Sequence, residues 1–246
     1  MEVCIDSVQS AMNAENGGAC RVELCSNLTD GGTTPSLGML KVIKQHTSIP
    51  VFCMIRPRGG DFCYNNQEMA VMKEDILCLK NAGADGFVFG ILTQDGEVDM
   101  VKCKQLLDIV RPLPATFHRA IDMSRDIFQS LAAVKNLGFE RVLSSGGEPT
   151  ALQGVSTLKK MVKLADDVIT VMPGGGIHVD NIEAILLNSG AQEFHGTARE
   201  TVNSSMIFQK PDISMGSQPN CEFFSKVTSV NVVKTLVSLA NSVWNR

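Results

Sequence analysis

Strand-like runs and helical patterns alternate eight times between Glu2 and Trp244, and no second kind of unit interrupts them. Alternating or continuous apolar runs predict strands over 2–5, 21–25, 51–56, 86–91, 115–119, 141–144, 168–172 and 193–196. Helical periodicity predicts helices over 7–16, 36–45, 66–81, 100–110, 125–136, 158–166, 181–188 and 229–244. Gly17-Gly18, Gly83, Gly138 and Gly190 fall just past helix ends, where a left-handed residue ends the ladder. At the second unit, Thr34 is the expected helix cap and Pro35 the first helical residue. A doubly wound open sheet would also alternate, but eight units in 246 residues fit closure better. The expected architecture is a single-domain (β/α)8 TIM barrel over 1–246, with a long polar loop or lid at about 199–224.

Strand alternation then divides outside from inside. Val3, Val22, Leu24, Ile169, Val171 and Phe194 should face the helices. The inward set becomes Glu2, Cys4, Glu23, Cys25, Thr116, His118, Ser144, Glu193 and His195. A structural barrel more often fills its lumen with branched aliphatics, because buried polar groups are costly unless paired. A titratable lumen therefore points to a site. The formal net charge of −4 gives no electrostatic case for nucleic acid or an anionic membrane. No apolar run approaches the ~20 residues of a membrane span, and Met1-Glu2-Val3-Cys4 does not open like a signal peptide. Eight dispersed cysteines without a secretion signal are expected to be reduced thiols in a cytoplasmic protein.

Two successive strands carry Glu-x-Cys, at Glu2-Val3-Cys4 and Glu23-Leu24-Cys25. On neighbouring strands the two thiols should lie close, a donor pair that suits Cu(I) better than a hard cation. His118 or His195 could add a third ligand from across the lumen. At that spacing a disulfide could also form under oxidation, and buried cysteines often serve only as small hydrophobes. Cys53, Cys63, Cys78 and Cys103 look like packing or loop residues. Met206, Met215 and Cys221, in the long connection, are weaker candidates as soft ligands.

The loops after the strands carry a different chemistry. Arg56-Pro57-Arg58-Gly59-Gly60-Asp61 follows strand three and His118-Arg119-Ala120-Ile121-Asp122 follows strand five. Gly146-Gly147 follows strand six, and Gly174-Gly175-Gly176 follows strand seven. Such glycines let backbone N–H groups approach an anion, though βα loops also need glycine simply to turn. Glu23, Arg56, His118 and Arg119 together read as an anion clamp with an acid–base set. That pattern would suit a lyase, isomerase or hydrolase acting on a small phosphorylated or carboxylated compound. A partner-binding module is a third possibility, which no exposed apolar stripe favours.

Taken together, Arg21-Val22-Glu23-Leu24-Cys25, Thr34-Pro35-Ser36-Leu37-Gly38, Ile55-Arg56-Pro57-Arg58-Gly59-Gly60-Asp61-Phe62-Cys63-Tyr64, Thr116-Phe117-His118-Arg119-Ala120 and Ala151-Leu152-Gln153-Gly154 resemble the copper homeostasis protein CutC family. The resemblance runs over essentially the whole chain. It implies a (β/α)8 barrel, a homo-oligomer (dimer or tetramer), and a part in intracellular handling of Cu(I). The family's ELC cysteine falls on Cys25, while the pairing with Cys4 comes from strand geometry. Copper ion is thus the expected partner, bound through Cys4 and Cys25, with no nucleic acid and no membrane. The resemblance leaves open whether the chain is also an enzyme.

Overall fold

A computed structural model of the chain describes residues 1–210, 213, 215 and 222–245. It opens with β1 (Glu2–Ile5) and α1 (Val8–Asn16), then β2 (Arg21–Leu24) and α2 (Leu37–His46). The unit recurs as β3 (Val51–Met54) and α3 (Asn66–Asn81), then β4 (Gly86–Phe89) and α4 (Met100–Val110). Next come β5 (Ala115–Phe117) with α5 (Ile127–Leu137) and β6 (Arg141–Ser144) with α6 (Val155–Ala165). The last units are β7 (Thr170–Pro173) with α7 (Ile182–Ser189), and the short β8 (His195–Gly196). An antiparallel ribbon, β9 (Arg199–Asn203) and β10 (Phe224–Thr228), precedes α8 (Val230–Trp244).

Eight parallel strands hydrogen-bond in the order β7-β6-β5-β4-β3-β2-β1-β8, giving a nearly closed TIM barrel. Val3, Ile5, Val22 and Leu24 are fully buried in the layer between sheet and helices, with Leu40 and Ile43 of α2 in the same core. Each such side chain contributes about 1.5–3 kcal/mol by leaving water. α3 starts with a reciprocal capping box between Asn65 and Glu68, which satisfies two backbone donors that the helix itself leaves open.

Several local expectations need correction. Ser36, not Thr34, caps α2 by accepting from the Met39 N–H. The Thr34 hydroxyl instead accepts from the Arg56 N–H at 3.0 Å, and Pro35 lies outside the helix. That same bond takes Arg56 out of β3, and Pro57 has no N–H to rejoin a ladder. β7 begins at Thr170 rather than Val168, which is 62% exposed beyond the left-handed pair Asp166-Asp167. The connection over 199–224 is not all loop, since its first five residues are β9 and Phe224 begins β10. Met206 and Met215 are exposed, and Cys221 lies outside the described residues. Among the described residues, no helix is long and apolar enough to cross a membrane.

Candidate functional site

The lumen is built in layers from the strand starts upward. At the lowest, Arg21 stands beside Glu2 in the β1–β2 register and makes an ion pair with it. Arg21 also donates to Glu193 at 2.6 Å, and Arg141 meets the same carboxylate at 2.9 Å. Both guanidiniums lie over Phe52, 5.1 and 5.8 Å from the ring centre. Arg21 and Arg141 were absent from the inward set expected from the sequence. Arg21 has the same parity as Glu23, so strand alternation contained the signal.

The next layer holds Cys4, Glu23, Cys25 and His195. The register pairs Cys4 with Glu23, so the two Glu-x-Cys strands are offset by two residues rather than aligned. The thiols still meet diagonally, with Sγ atoms 3.7 Å apart, well beyond the ~2.05 Å of a disulfide. Cys25 Sγ is 3.6 Å from a Glu23 carboxylate oxygen. His195 Nδ1 lies 2.8 Å from Glu2, and its Nε2 lies 3.6 Å from Glu23. Ligand atoms of Cys4, Glu23 and Cys25 all fall within 4.8 Å of one another, as do those of Glu2, Glu23 and His195.

Charge in this layer is set by proximity. The hydrogen bond between the two thiols outweighs burial and, with His195, brings the Cys4 thiol down to about 5. The same bond, together with burial and the neighbouring Cys4 and Glu23, holds the Cys25 thiol well above its ordinary value. Burial and the negative Cys4 push Glu23 well above the usual carboxylate range. Burial disfavours a charged His195, but Glu23, Cys4 and Glu2 outweigh it and raise the imidazole well above its usual value. Burial likewise opposes an ionised Glu2, yet His195 and Arg21 bring it down to about 2. These shifts favour one shared proton on the cysteine pair beside a protonated imidazole.

Above this layer the strand ends open into a cavity of about 1100 Å³ lined by Cys4, Glu23, Arg56, His118, Arg119 and His195 among others. The candidate acid–base residues therefore share one space, but they are not equally free. Arg56 donates to the carbonyls of Asp30, Gly32 and Gly60 at 2.7–2.9 Å, so it fastens the loops after β2 and β3. His118 is buried and accepts at Nδ1 from the Ala120 N–H. Burial and the Arg56 guanidinium lower it to about 3, so it is neutral and carries its proton on Nε2. Arg119 is anchored through Asp122 at 2.8 Å and the Ser145 hydroxyl at 2.7 Å.

The glycine loops divide in the same way. The Gly146 N–H donates to Ser144 Oγ, the Gly147 N–H to Asp122, and the Gly174 N–H to the Ser144 carbonyl. Those donors already have partners within the fold. Gly175 and Gly176 line the cavity. Asp122, a residue the sequence reading gave no role, gathers donors from Ser144, Ser145, Gly147 and Arg119. Thr116 is fully buried, with a hydroxyl that has no partner. Cys53 and Cys103 are buried packing residues, whereas Cys78 is exposed.

A model of the CutC family matches residues 1–200 of the chain. Over 244 residues the chain is 53% identical to the copper homeostasis protein cutC homolog of Homo sapiens, spanning 99% of this chain and 89% of the human protein. The corresponding protein of Drosophila melanogaster is 41% identical over 254 residues, with 100% and 96% covered. A CutC crystal structure from Streptococcus agalactiae superposes with a TM-score of 0.76 at 36% identity, covering 80% of this chain and 97% of that one. Thiamine phosphate pyrophosphorylase from Pyrococcus furiosus shares the barrel alone, with a TM-score of 0.59 at 16% identity and 98% and 95% covered. By the extent of the family match and by these identities, the chain belongs to the CutC family.

Proposed function

We propose that the chain serves copper homeostasis, as the names of its relatives describe, and that it holds Cu(I) as cargo through Cys4 and Cys25. The observation that carries this reading is the pair of buried thiols 3.7 Å apart in the lumen. Two soft sulfur donors suit a monovalent soft ion, and the adjacent Glu23 oxygen is a harder, weaker donor. The donor set therefore fits copper(I) better than magnesium or calcium. A cytoplasmic location accords with the reading, because thiols stay reduced there.

Cys4 is the thiol disposed to be ionised at neutral pH, whereas Cys25 must lose its proton for both sulfurs to bind as thiolates. Affinity is therefore expected to rise with pH. Anaerobic competition with a Cu(I) chelator measures it. Cys4→Ser and Cys25→Ser should each weaken binding by more than the roughly 100-fold that follows loss of a group merely supporting a ligand. Wild-type affinity in both variants, or an affinity flat between about pH 5 and 8, would sink thiolate ligation.

The cavity favours a second reading. A volume of about 1100 Å³ is far more than one ion needs and at the upper end of small-molecule sites. Under this reading the barrel is a lyase, isomerase or hydrolase acting on a small phosphorylated or carboxylated compound. Glu23 would move a proton, neutral His118 would donate a hydrogen bond, and Arg119 would hold the anion. Arg56, committed to three carbonyls, would shape the wall rather than clamp the substrate.

A further inference from the structure

We propose that this cavity binds a small organic phosphate monoester carrying a hydroxyl group, with the phosphate at Arg119, Gly175 and Gly176 and the hydroxyl toward Glu23. The inference rests on the second reading above, that the cavity is a substrate site, and it names the substrate class.

Unpartnered buried polar atoms are the first ground. Among the described residues, five buried side-chain nitrogen or oxygen atoms have no hydrogen-bond partner. Three of them, Glu23 Oε1, Arg56 Nε and His118 Nε2, belong to residues lining this one cavity. An unmet buried polar group costs about 1–3 kcal/mol, and native interiors hold few of them. A carboxyl and two N–H donors gathered around one space call for a ligand rich in acceptor oxygens, with a hydroxyl for the carboxyl. A bare metal ion offers no acceptor to Arg56 or His118, so the copper reading does not account for them.

The second ground is the mouth beside β7. Arg119 is fixed through Nε by Asp122 and through Nη2 by Ser145, leaving Nη1 directed at the Gly175 backbone. A β-carbon placed on Gly175 would lie 3.3 Å from that Nη1. Gly175 and Gly176 have φ of +102° and +68°, so the backbone there is turned as few residues other than glycine permit. Asp122 does not compete for an incoming anion, because its oxygens already accept from Ser144, Ser145, Gly147 and Arg119. Arg199 lines the same cavity and adds a second guanidinium, 3.5 Å from Asp6. Arg119 beside the glycine backbone of the loop after strand seven, with Arg199 elsewhere on the wall of the same cavity, suits a dianionic phosphate better than a monoanionic carboxylate.

Isothermal titration calorimetry on copper-free protein tests this with three probes: inorganic phosphate, glycerol 3-phosphate and glycerate. Glycerol 3-phosphate should bind more tightly than phosphate, and glycerate more weakly than either. Arg119→Ala should weaken both phosphates at least tenfold, while Glu23→Gln should remove only the advantage of the ester. If Arg119→Ala does not fold, Arg119→Lys and Arg199→Ala decide, each expected to weaken phosphate binding severalfold. No heat from either phosphate, wild-type binding in the arginine variants, or glycerate bound in preference would overturn the assignment. Calorimetry needs no turnover, so a phosphate ester that binds and is never converted sinks the enzymatic reading and leaves the site. Glycerate bound alone and converted does the reverse.

Discussion

At His118 the two ring nitrogens have separate tasks. Nδ1 accepts from the Ala120 N–H and so holds the turn that follows β5, while Phe62 packs 4.8 Å from the ring. Burial, then the Arg56 guanidinium, lowers the imidazole from 6.5 to about 3. In the unfolded chain the same side chain takes up a proton near pH 6.5. Between these values the unfolded state binds the proton and the folded state does not, so stability is lost as pH falls through that window. From pH 7.5 to 4.5 the loss should be roughly 2–3 kcal/mol from this residue. Urea unfolding of wild type and His118→Gln at the two pH values measures it, since groups common to both cancel in the difference. His195, whose imidazole is raised, contributes with the opposite sign. Equal pH dependence in the two proteins would mean that His118 is not buried neutral.

Among the elements, β3 and β4 show how a small residue shapes the lumen. Gly86 starts β4 opposite Phe52 in the register, and a β-carbon there would lie 2.6 Å from the Phe52 ring. Phe52 in turn supports Arg21 and Arg141. Gly86→Ala should therefore destabilise the fold by about 1–3 kcal/mol through overpacking, read as a lowered urea midpoint. An unchanged midpoint would show that Phe52 can turn aside freely. The elements themselves were legible from the sequence because period two, period 3.6 and glycine stops are local signals. Strand alternation also placed Cys4, Cys25, Glu23, Glu2, Glu193 and His195 in the lumen. The offset between β1 and β2 was not legible, since register is fixed by the barrel as a whole. For the same reason the glycine pattern could not tell Gly147, already bonded to Asp122, from Gly175 and Gly176 at the cavity. That distinction depends on a carboxylate from another loop.

For the molecule as a whole, closure is the outstanding mechanical problem. The hydrogen-bonded order ends at β7 on one side and β8 on the other. Across that seam the chain makes close contact at Gly174, where a β-carbon would stand 3.3 Å from His195 of β8. Beneath it, Glu193 ties Arg141 of β6 to Arg21 of β2, and Arg21 continues to Glu2 of β1. The ion network thus spans the part of the barrel where backbone bonding is thinnest. Burial opposes ionisation of Glu193, but Arg141 and Arg21 keep its carboxyl below the ordinary range. Its contribution is therefore present above the unfolded value of about 4.5 and is lost as pH falls toward the folded value. Glu193→Gln leaves two largely buried guanidiniums without that charge, an uncompensated arrangement that costs roughly 2–4 kcal/mol once partial exposure is allowed for. The loss should be largest near pH 7 and shrink as pH falls below the ordinary carboxylate range, where the wild-type carboxylate itself becomes protonated. Hydrogen exchange should locate the added opening at β6, β7 and β8, ahead of β3 and β4. Exchange rising evenly around the barrel would mean that closure rests on packing alone.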